Sequence, residues 1–294
     1  MKAPSFAYEK VANLEEALQR LHEHGDAARV LAGGQSLLPA LNLRLTHPQW
    51  LIDIAGLDAL RGERLRHEVL ELGALTTHRE LASSALVRKH LPLLAMAVPY
   101  VAHAAIRNRG TIGGSLALAD PAAEYPAVAL ACEASMLLRS VRGERKVKAR
   151  DYFQGLYQTA LESDEILCAV EFPVARSSER FAFEELARRH GDYAMAGLAA
   201  RAQFDAQHRL ERLHLAFFAL GDRPMLAPQA TACLVDQTIN PQSIRDAQQA
   251  LGADLSPPDD LQAKSMFQEA SMFQKAAMLS TRFAANKKCP YGFR

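Results

Sequence analysis

Arg29-Val30-Leu31-Ala32-Gly33-Gly34-Gln35-Ser36-Leu37 and, eighty residues on, Thr111-Ile112-Gly113-Gly114-Ser115 are the two stretches that decide how this sequence folds. In each, apolar sequence breaks at adjacent glycines and a hydroxyl residue follows. Adjacent glycines permit positive φ and let successive N–H groups converge on one point with no Cβ in the way. A helix starting there adds free N–H donors and the positive end of its dipole. Ser36, Thr111 and Ser115 supply hydroxyls able to donate to phosphate oxygens. One Gly-Gly-x-Ser is an ordinary turn; two in one chain predict a pair of loops gripping a pyrophosphate from both sides. Neither loop reads Gly-x-Gly-x-x-Gly or Gly-x-x-x-x-Gly-Lys-Ser/Thr, which disfavours a Rossmann nucleotide site and a P-loop.

Working outward from the first loop, Asn13 caps a helix with Glu16 three residues on and Gly25 after its last turn. Leu14, Ala17, Leu18 and Leu21 share one face of it. A short strand at 29–32, a helical stretch at 37–43 and a buried strand at 50–54 complete an expected αβαβ unit. Around the second loop, Val69 to Gly73 reads as a strand, Thr77 with Glu80 caps a helix, and Pro92 to Ala104 reads as a helix. A further helix is expected from Pro121 to Ala131, a hairpin around Arg142-Gly143-Glu144, and a strand from Ile166 to Phe172. Ala175 to Glu179 reads as a linker. Strands at 181–186, 194–204 and 210–220 predict a three-stranded antiparallel sheet, followed by helices separated at Gly252 and Pro257-Pro258. The expected domains are 1–175, with subdomains of about 1–55 and 56–175, and 179–288.

Composition narrows the function. The chain has 294 residues, 49% of them hydrophobic, enough for a large core. With 34 basic against 33 acidic residues there is no broad field to favour nucleic acid or an anionic membrane. No apolar signal core opens the chain and no apolar run approaches membrane-spanning length, so the expected location is cytoplasmic. Cys132, Cys168, Cys233 and Cys289 form no Cys-x-x-Cys pair, and the ten histidines show no ligand spacing. Buried, inert thiols and no metal site are expected. Asp120 and Glu124, four apart at a helix start, either answer the helix dipole or accept from sugar hydroxyls. Arg188-Arg189-His190 is either a positive patch beside a bound group or a set of solvated edge charges. Met266, Phe267, Met272, Phe273 and Met278 read as core or subunit packing, and Cys289 to Arg294 as a frayed end.

Taken together, several runs resemble the FAD-binding medium subunits of molybdenum hydroxylases, the family of carbon monoxide dehydrogenase, quinoline oxidoreductase and xanthine dehydrogenase. They are Ala32 to Pro39, Ile106-Arg107-Asn108-Arg109-Gly110-Thr111 through Ala117, Ala119-Asp120-Pro121-Ala122-Ala123-Glu124, Glu165-Ile166-Leu167, and Ala187 through Ala194. The resemblance covers nearly the whole chain. It implies an α+β fold: a two-subdomain FAD-binding domain of the vanillyl-alcohol-oxidase type, with a C-terminal three-stranded antiparallel sheet and helices beside it. It places Leu31, Ala32, Gly33, Gly34, Gln35, Ser36 and Leu37, with Thr111, Ile112, Gly113, Gly114 and Ser115, on the pyrophosphate. It sets Glu124 near the ribose, Ile166 and Leu167 near the adenine end, and Tyr193 beside the isoalloxazine ring. Glu184 stands where the xanthine dehydrogenase relatives carry a lysine.

The implied function is an electron-transfer subunit with no catalytic acid or base of its own. A large molybdopterin subunit would hydroxylate an organic substrate, by the resemblance an N-heterocycle. A small subunit with [2Fe-2S] clusters would relay electrons to FAD, which passes them to an external acceptor. The implied assembly is a dimer of heterotrimers. Two other readings stand beside it: a self-sufficient flavin-dependent oxidase or reductase of the same fold, and a non-catalytic nucleotide-binding module. Turnover by the lone chain marks the first, and a colourless protein marks the second.

Overall fold

The computed structural model describes residues 2–207, 209–236 and 239–257. Its first layer is a three-stranded parallel sheet of β1 (Ala7–Lys10), β2 (Ala28–Leu31) and β3 (Trp50–Asp53), in the order β1-β3-β2. The helix Leu14–His24 lies against it. The Asn13 side chain accepts from Glu16 N at 2.8 Å, and Glu16 accepts from Ala12 N at 2.7 Å. Gly25 ends the helix at φ 50°. Leu14, Ala17, Leu18 and Leu21 are buried, as the spacing predicts. The αβαβ expectation missed β1. Its Ala7-Tyr8-Glu9-Lys10 sequence buries no face fully, so it lacks the apolar alternation that marks a strand.

The second layer is a five-stranded antiparallel sheet, β4-β5-β10-β6-β7. Its strands are β4 (Glu63–Arg66), β5 (Val69–Gly73), β6 (Ser135–Ser140), β7 (Gly143–Lys148) and β10 (Ile166–Pro173). β8 (Phe153–Gly155) and β9 (Gln158–Thr159) form a separate small hairpin. Thr77 and Glu80 make the expected capping box. The helix expected over 92–104 breaks into Pro92–Ala97, a tight turn at Val98–Tyr100 and Ala104–Arg107. Pro99 has no N–H to continue an α-helix. The helix expected from Pro121 starts at Glu124 instead, because Asp120 Oδ1 takes the Ala122 N–H at 2.9 Å and turns the chain first. The Cys132 and Cys168 thiols are buried, and burial pushes both up to about 12.

The C-terminal sheet has four strands, not three: β11 (Glu179–Ala187), β12 (Ala194–Phe204), β13 (Leu210–Phe218) and β14 (Met225–Leu226). The fourth is two residues long, too short for sequence periodicity to register. Gly252 lies inside the helix Pro241–Asp254 rather than between helices. Met266, Phe267, Met272, Phe273 and Met278, and the segment Cys289 to Arg294, lie outside the described residues. The linker is shorter than expected, because Glu179 is the first residue of β11. Its carboxylate is buried and accepts from Arg201 Nε at 3.0 Å and Nη2 at 2.7 Å. Arg201 also donates through Nη1 to the Cys132 carbonyl at 3.1 Å, tying the C-terminal sheet to the flank of the five-stranded one.

An apolar residue at 201 leaves the Glu179 carboxylate buried without its cation, a loss of about 3–5 kcal/mol. Arg201→Met is therefore expected to lower the denaturant midpoint strongly, and adding Glu179→Gln is expected to recover part of the loss. Equal midpoints for the single and double variants would show that the buried charge is not what the arginine serves.

Candidate functional site

The first glycine loop leaves β2 and doubles back at Gly34, whose φ is +72°. The Leu38 amide donates to Gly34 O at 3.1 Å, and the Gln35 side chain donates to Gly33 O at 3.1 Å. The amides of Gly33, Gly34, Gln35, Ser36 and Leu37 donate to no acceptor among the described residues. Ser36 does not cap the helix that follows. The loop therefore presents consecutive unspent N–H groups and a hydroxyl, the donor set an anion with several oxygens requires. Gly33 is also a contact point. A Cβ there would lie 2.1 Å from the Arg109 carbonyl oxygen and 3.0 Å from Gly110 Cα. The two glycine loops touch backbone to backbone because residue 33 has no side chain.

The second loop is built differently from the expectation. Gly110 O accepts from His78 N at 3.0 Å, Ile112 N donates to Thr76 O at 3.0 Å, and Gly113 N donates to Ala74 O at 2.8 Å. Gly114 N donates to the Thr111 hydroxyl at 3.1 Å, and Ser115 N to Thr111 O at 3.1 Å. Every amide from Ile112 to Ser115 is thus spent inside the protein. The two loops are unequal: one offers a run of amides, and the other only the Thr111 amide with the hydroxyls of Thr111 and Ser115. The Thr111 oxygen accepts from Gly114 and keeps its own proton to donate. Gly113 serves close packing, since a Cβ there would lie 2.4 Å from Ala74 Cβ. Sequence reasoning missed this brace at 74–78 because backbone pairing leaves no residue-type signature. His78, buried beneath Gly110, is held near pKa 4 by burial and by the charge of Arg107, so it stays neutral.

The helix Ile112–Leu118 spans about 10 Å, and Ala119 ends it in the left-handed conformation. The acid turn follows at once. Asp120 and Glu124 are 9% and 8% exposed. Burial pushes the Glu124 carboxyl up to about 7, with the neighbouring Asp120 charge adding, and burial raises Asp120 as well. The C-terminal sheet props this turn, because Ala219 N donates to Pro121 O at 2.8 Å.

Tyr193 comes off a turn at Gly191, which is left-handed at φ +86° and sits where a Cβ would lie 2.7 Å from His103 Nδ1. The ring is 65% exposed. Its phenol is nevertheless raised, first by the protein around it and then by the charges of Asp120 and Glu124. Arg107 braces the neighbouring turn by donating to the Val101 and Ala102 carbonyls at 2.9 and 2.7 Å. The two loops thus meet at Gly33, and the helix Ile112–Leu118 leads from the second of them to the acid turn. Ile166 and Leu167 are not brought there by their side chains. Those are buried in two different cores, so only main-chain atoms at 166–167 can face a ligand. Tyr157 joins the group although sequence reading passed it over. Its hydroxyl donates to Asp120 Oδ2 at 3.3 Å. Among the described residues no three or more His, Cys, Asp or Glu side chains could hold a metal, and no helix could cross a membrane.

Comparison with known proteins agrees with this geometry. Residues 4–175 match the family described as the FAD binding domain in molybdopterin dehydrogenase. Residues 181–277 match the CO dehydrogenase flavoprotein C-terminal domain. The chain is 38% identical over 257 residues, 87% of each chain, to the 6-hydroxypseudooxynicotine dehydrogenase complex subunit alpha of Paenarthrobacter nicotinovorans. It is 39% identical over 226 residues, 76% of each chain, to the caffeine dehydrogenase subunit beta of Pseudomonas sp. (strain CBB1). Its fold superimposes with a TM-score of 0.91 on a chain of carbon monoxide dehydrogenase from Hydrogenophaga pseudoflava, at 34% identity, covering 95% of this chain and 96% of that one. By sequence and by fold, the chain belongs to the FAD-binding medium subunits of the multi-subunit molybdenum hydroxylases.

Proposed function

We propose that this chain holds FAD across the two glycine loops and serves as the electron-exit station of its complex. The observation that carries the reading is the row of unspent amides from Gly33 to Leu37 beside the Thr111 and Ser115 hydroxyls. In this arrangement residues 31–37 bind the pyrophosphate and residues 111–115 close on it from the other side. Glu124 accepts from a sugar hydroxyl, the backbone at Ile166 and Leu167 borders the adenine end, and Tyr193 borders the isoalloxazine. FAD, when bound, supplies the exchange between one-electron and two-electron transfer. The chain's residues bind, orient and shield it.

In this reading residues 1–175 form a flavin domain of the vanillyl-alcohol-oxidase type, with subdomains of about 1–55 and 56–175, and residues 179–288 form the second domain. A large molybdopterin subunit and a small [2Fe-2S] subunit complete a dimer of heterotrimers in the cytoplasm. The substrate proposed for the complex is an N-heterocycle. Caffeine, which gives one relative its name, is of that class, and the Arg188 to Tyr193 run resembles the members that oxidise such compounds.

Purification from the native source with metal analysis tests the whole. FAD, molybdenum and iron are expected in stoichiometric association with two further chains, and a lone chain that turns over a substrate would overturn the reading. Gly33→Ala forces the two loops apart, and an overpacked contact of this kind costs about 1–3 kcal/mol. The variant is expected to lose FAD on dialysis where the wild type retains it, and retention equal to wild type would sink the loop assignment.

A third expectation concerns pH. The Glu124 carboxyl ordinarily ionises near 4.5, and the fold moves it to about 7. Between those values the folded state holds the proton more tightly than the unfolded one, so stability falls as pH rises through the window and levels off above it. Glu124→Gln is expected to flatten this slope, measured by thermal unfolding at a series of pH values. An unchanged slope would show that the carboxyl is not buried as described.

A further inference from the structure

The hairpin of β8 and β9 is anchored at its base and bare at its tip. Tyr152 and Phe153 at the base are buried, with rings edge to face at 5.1 Å, and Ala160 N donates to Tyr152 O at 2.8 Å. At the tip, Leu156 and Tyr157 form a two-residue turn between the paired Gly155 and Gln158, and both are more than half exposed. Tyr157 has φ +54°, at the turn position where glycine or asparagine is usual. A tyrosine there strains the backbone and buries little. Core packing gives no reason for it, and glycine would hold the turn with less strain.

What Tyr157 touches supplies the reason. Its hydroxyl donates to the buried Asp120, the first acid of the turn that also carries Glu124. The phenol is pushed up to about 12, first by burial of its hydroxyl end, then by Asp120, with Tyr193 contributing. Tyr193 is in turn raised by Asp120 and Glu124. Of two exposed tyrosines from separate segments of the chain, Tyr157 bonds to the acid turn directly and Tyr193 lies within reach of its charge. The C-terminal domain fixes the hairpin there, since Arg223 Nη1 donates to the Gln154 carbonyl at 2.5 Å.

We propose that Tyr157 is a flavin-positioning residue: Asp120 fixes its hydroxyl, and its ring joins Tyr193 in bounding the isoalloxazine. This rests on the reading of Tyr193 as the residue that borders the isoalloxazine. It adds a wall from the hairpin, so the ring is bounded by side chains from both domains. Tyrosine in contact with a flavin quenches its fluorescence, which gives a readout independent of turnover.

The test uses the assembled complex with its partner subunits. Tyr157→Gly relieves the left-handed strain, so thermal stability is expected to equal or exceed that of wild type. Fluorescence of the bound flavin is expected to rise several-fold and the flavin midpoint potential to shift. Tyr157→Phe keeps the ring and loses the bond to Asp120, and is expected to fall between the two. Fluorescence and potential unchanged in Tyr157→Gly would overturn the proposal, as would a Tyr157→Phe shift as large as that of the glycine variant. Tyr193→Ala separates the two levels. If it raises the fluorescence while Tyr157→Gly does not, only the role of Tyr157 is lost. If neither does, the flavin end lies elsewhere and both readings fall.

Discussion

The contact between Gly33 and the Arg109 carbonyl is the constraint on which the rest of this molecule depends. It joins the parallel three-stranded unit to the loop preceding the helix Ile112–Leu118, and it does so without side chains. The loops on either side are unequal. The second is largely saturated: its amides from Ile112 to Ser115 are spent on Thr76, Ala74 and Thr111. The first is unsaturated, with donors that only water or a ligand can satisfy. Leaving such donors desolvated costs about 1–3 kcal/mol each. A ligand whose oxygens meet several of them at once therefore gains from an arrangement the fold has already prepared. In the proposed reading the braced loop is the surface against which the donor-bearing loop holds the ligand.

In the proposed reading the far end of the ligand must also be held at a set distance from that grip. The helix Ile112–Leu118 is the spacer, leading from the loop directly into the acid turn. The C-terminal domain then acts on the turn from the other side. Ala219 bonds to Pro121, Arg201 reaches the Cys132 carbonyl, and Gly191 packs on His103. Each of these contacts crosses between domains. The sheet of β11 to β14 thus braces the candidate site.

What could be read from the sequence follows the same physics. Caps were legible because their chemistry is local: Asn13 with Glu16, and Thr77 with Glu80, act within one turn. The glycine loops were legible because adjacent glycines at the end of an apolar run have few structural uses. The division of labour between them was not, because amide partners such as Ala74 and Thr76 are donor-blind in sequence: any residue carries the same carbonyl. β1 escaped because an edge strand with a solvated face shows no apolar period, and β14 because two residues cannot show one. Tyr157 escaped for a further reason. A tyrosine in an exposed turn reads as unremarkable until its φ and its partner on another element are known.

The distribution of charge fits a chain whose task is placement. Its near-neutral balance provides no steering field, and its buried ion pair, Glu179 with Arg201, serves domain attachment at a distance from the glycine loops in sequence. At the site itself the buried titratable groups are held toward their neutral forms: His78 by burial and Arg107, Glu124 by burial and Asp120. Neutral groups can donate and accept hydrogen bonds without adding fixed charge beside a redox centre. A redox cofactor brings its own chemistry, and its potential responds to charge and dielectric around it. Surroundings braced from both domains would therefore fix the position of the cofactor while leaving its reactivity to itself, as the proposed electron-exit role requires.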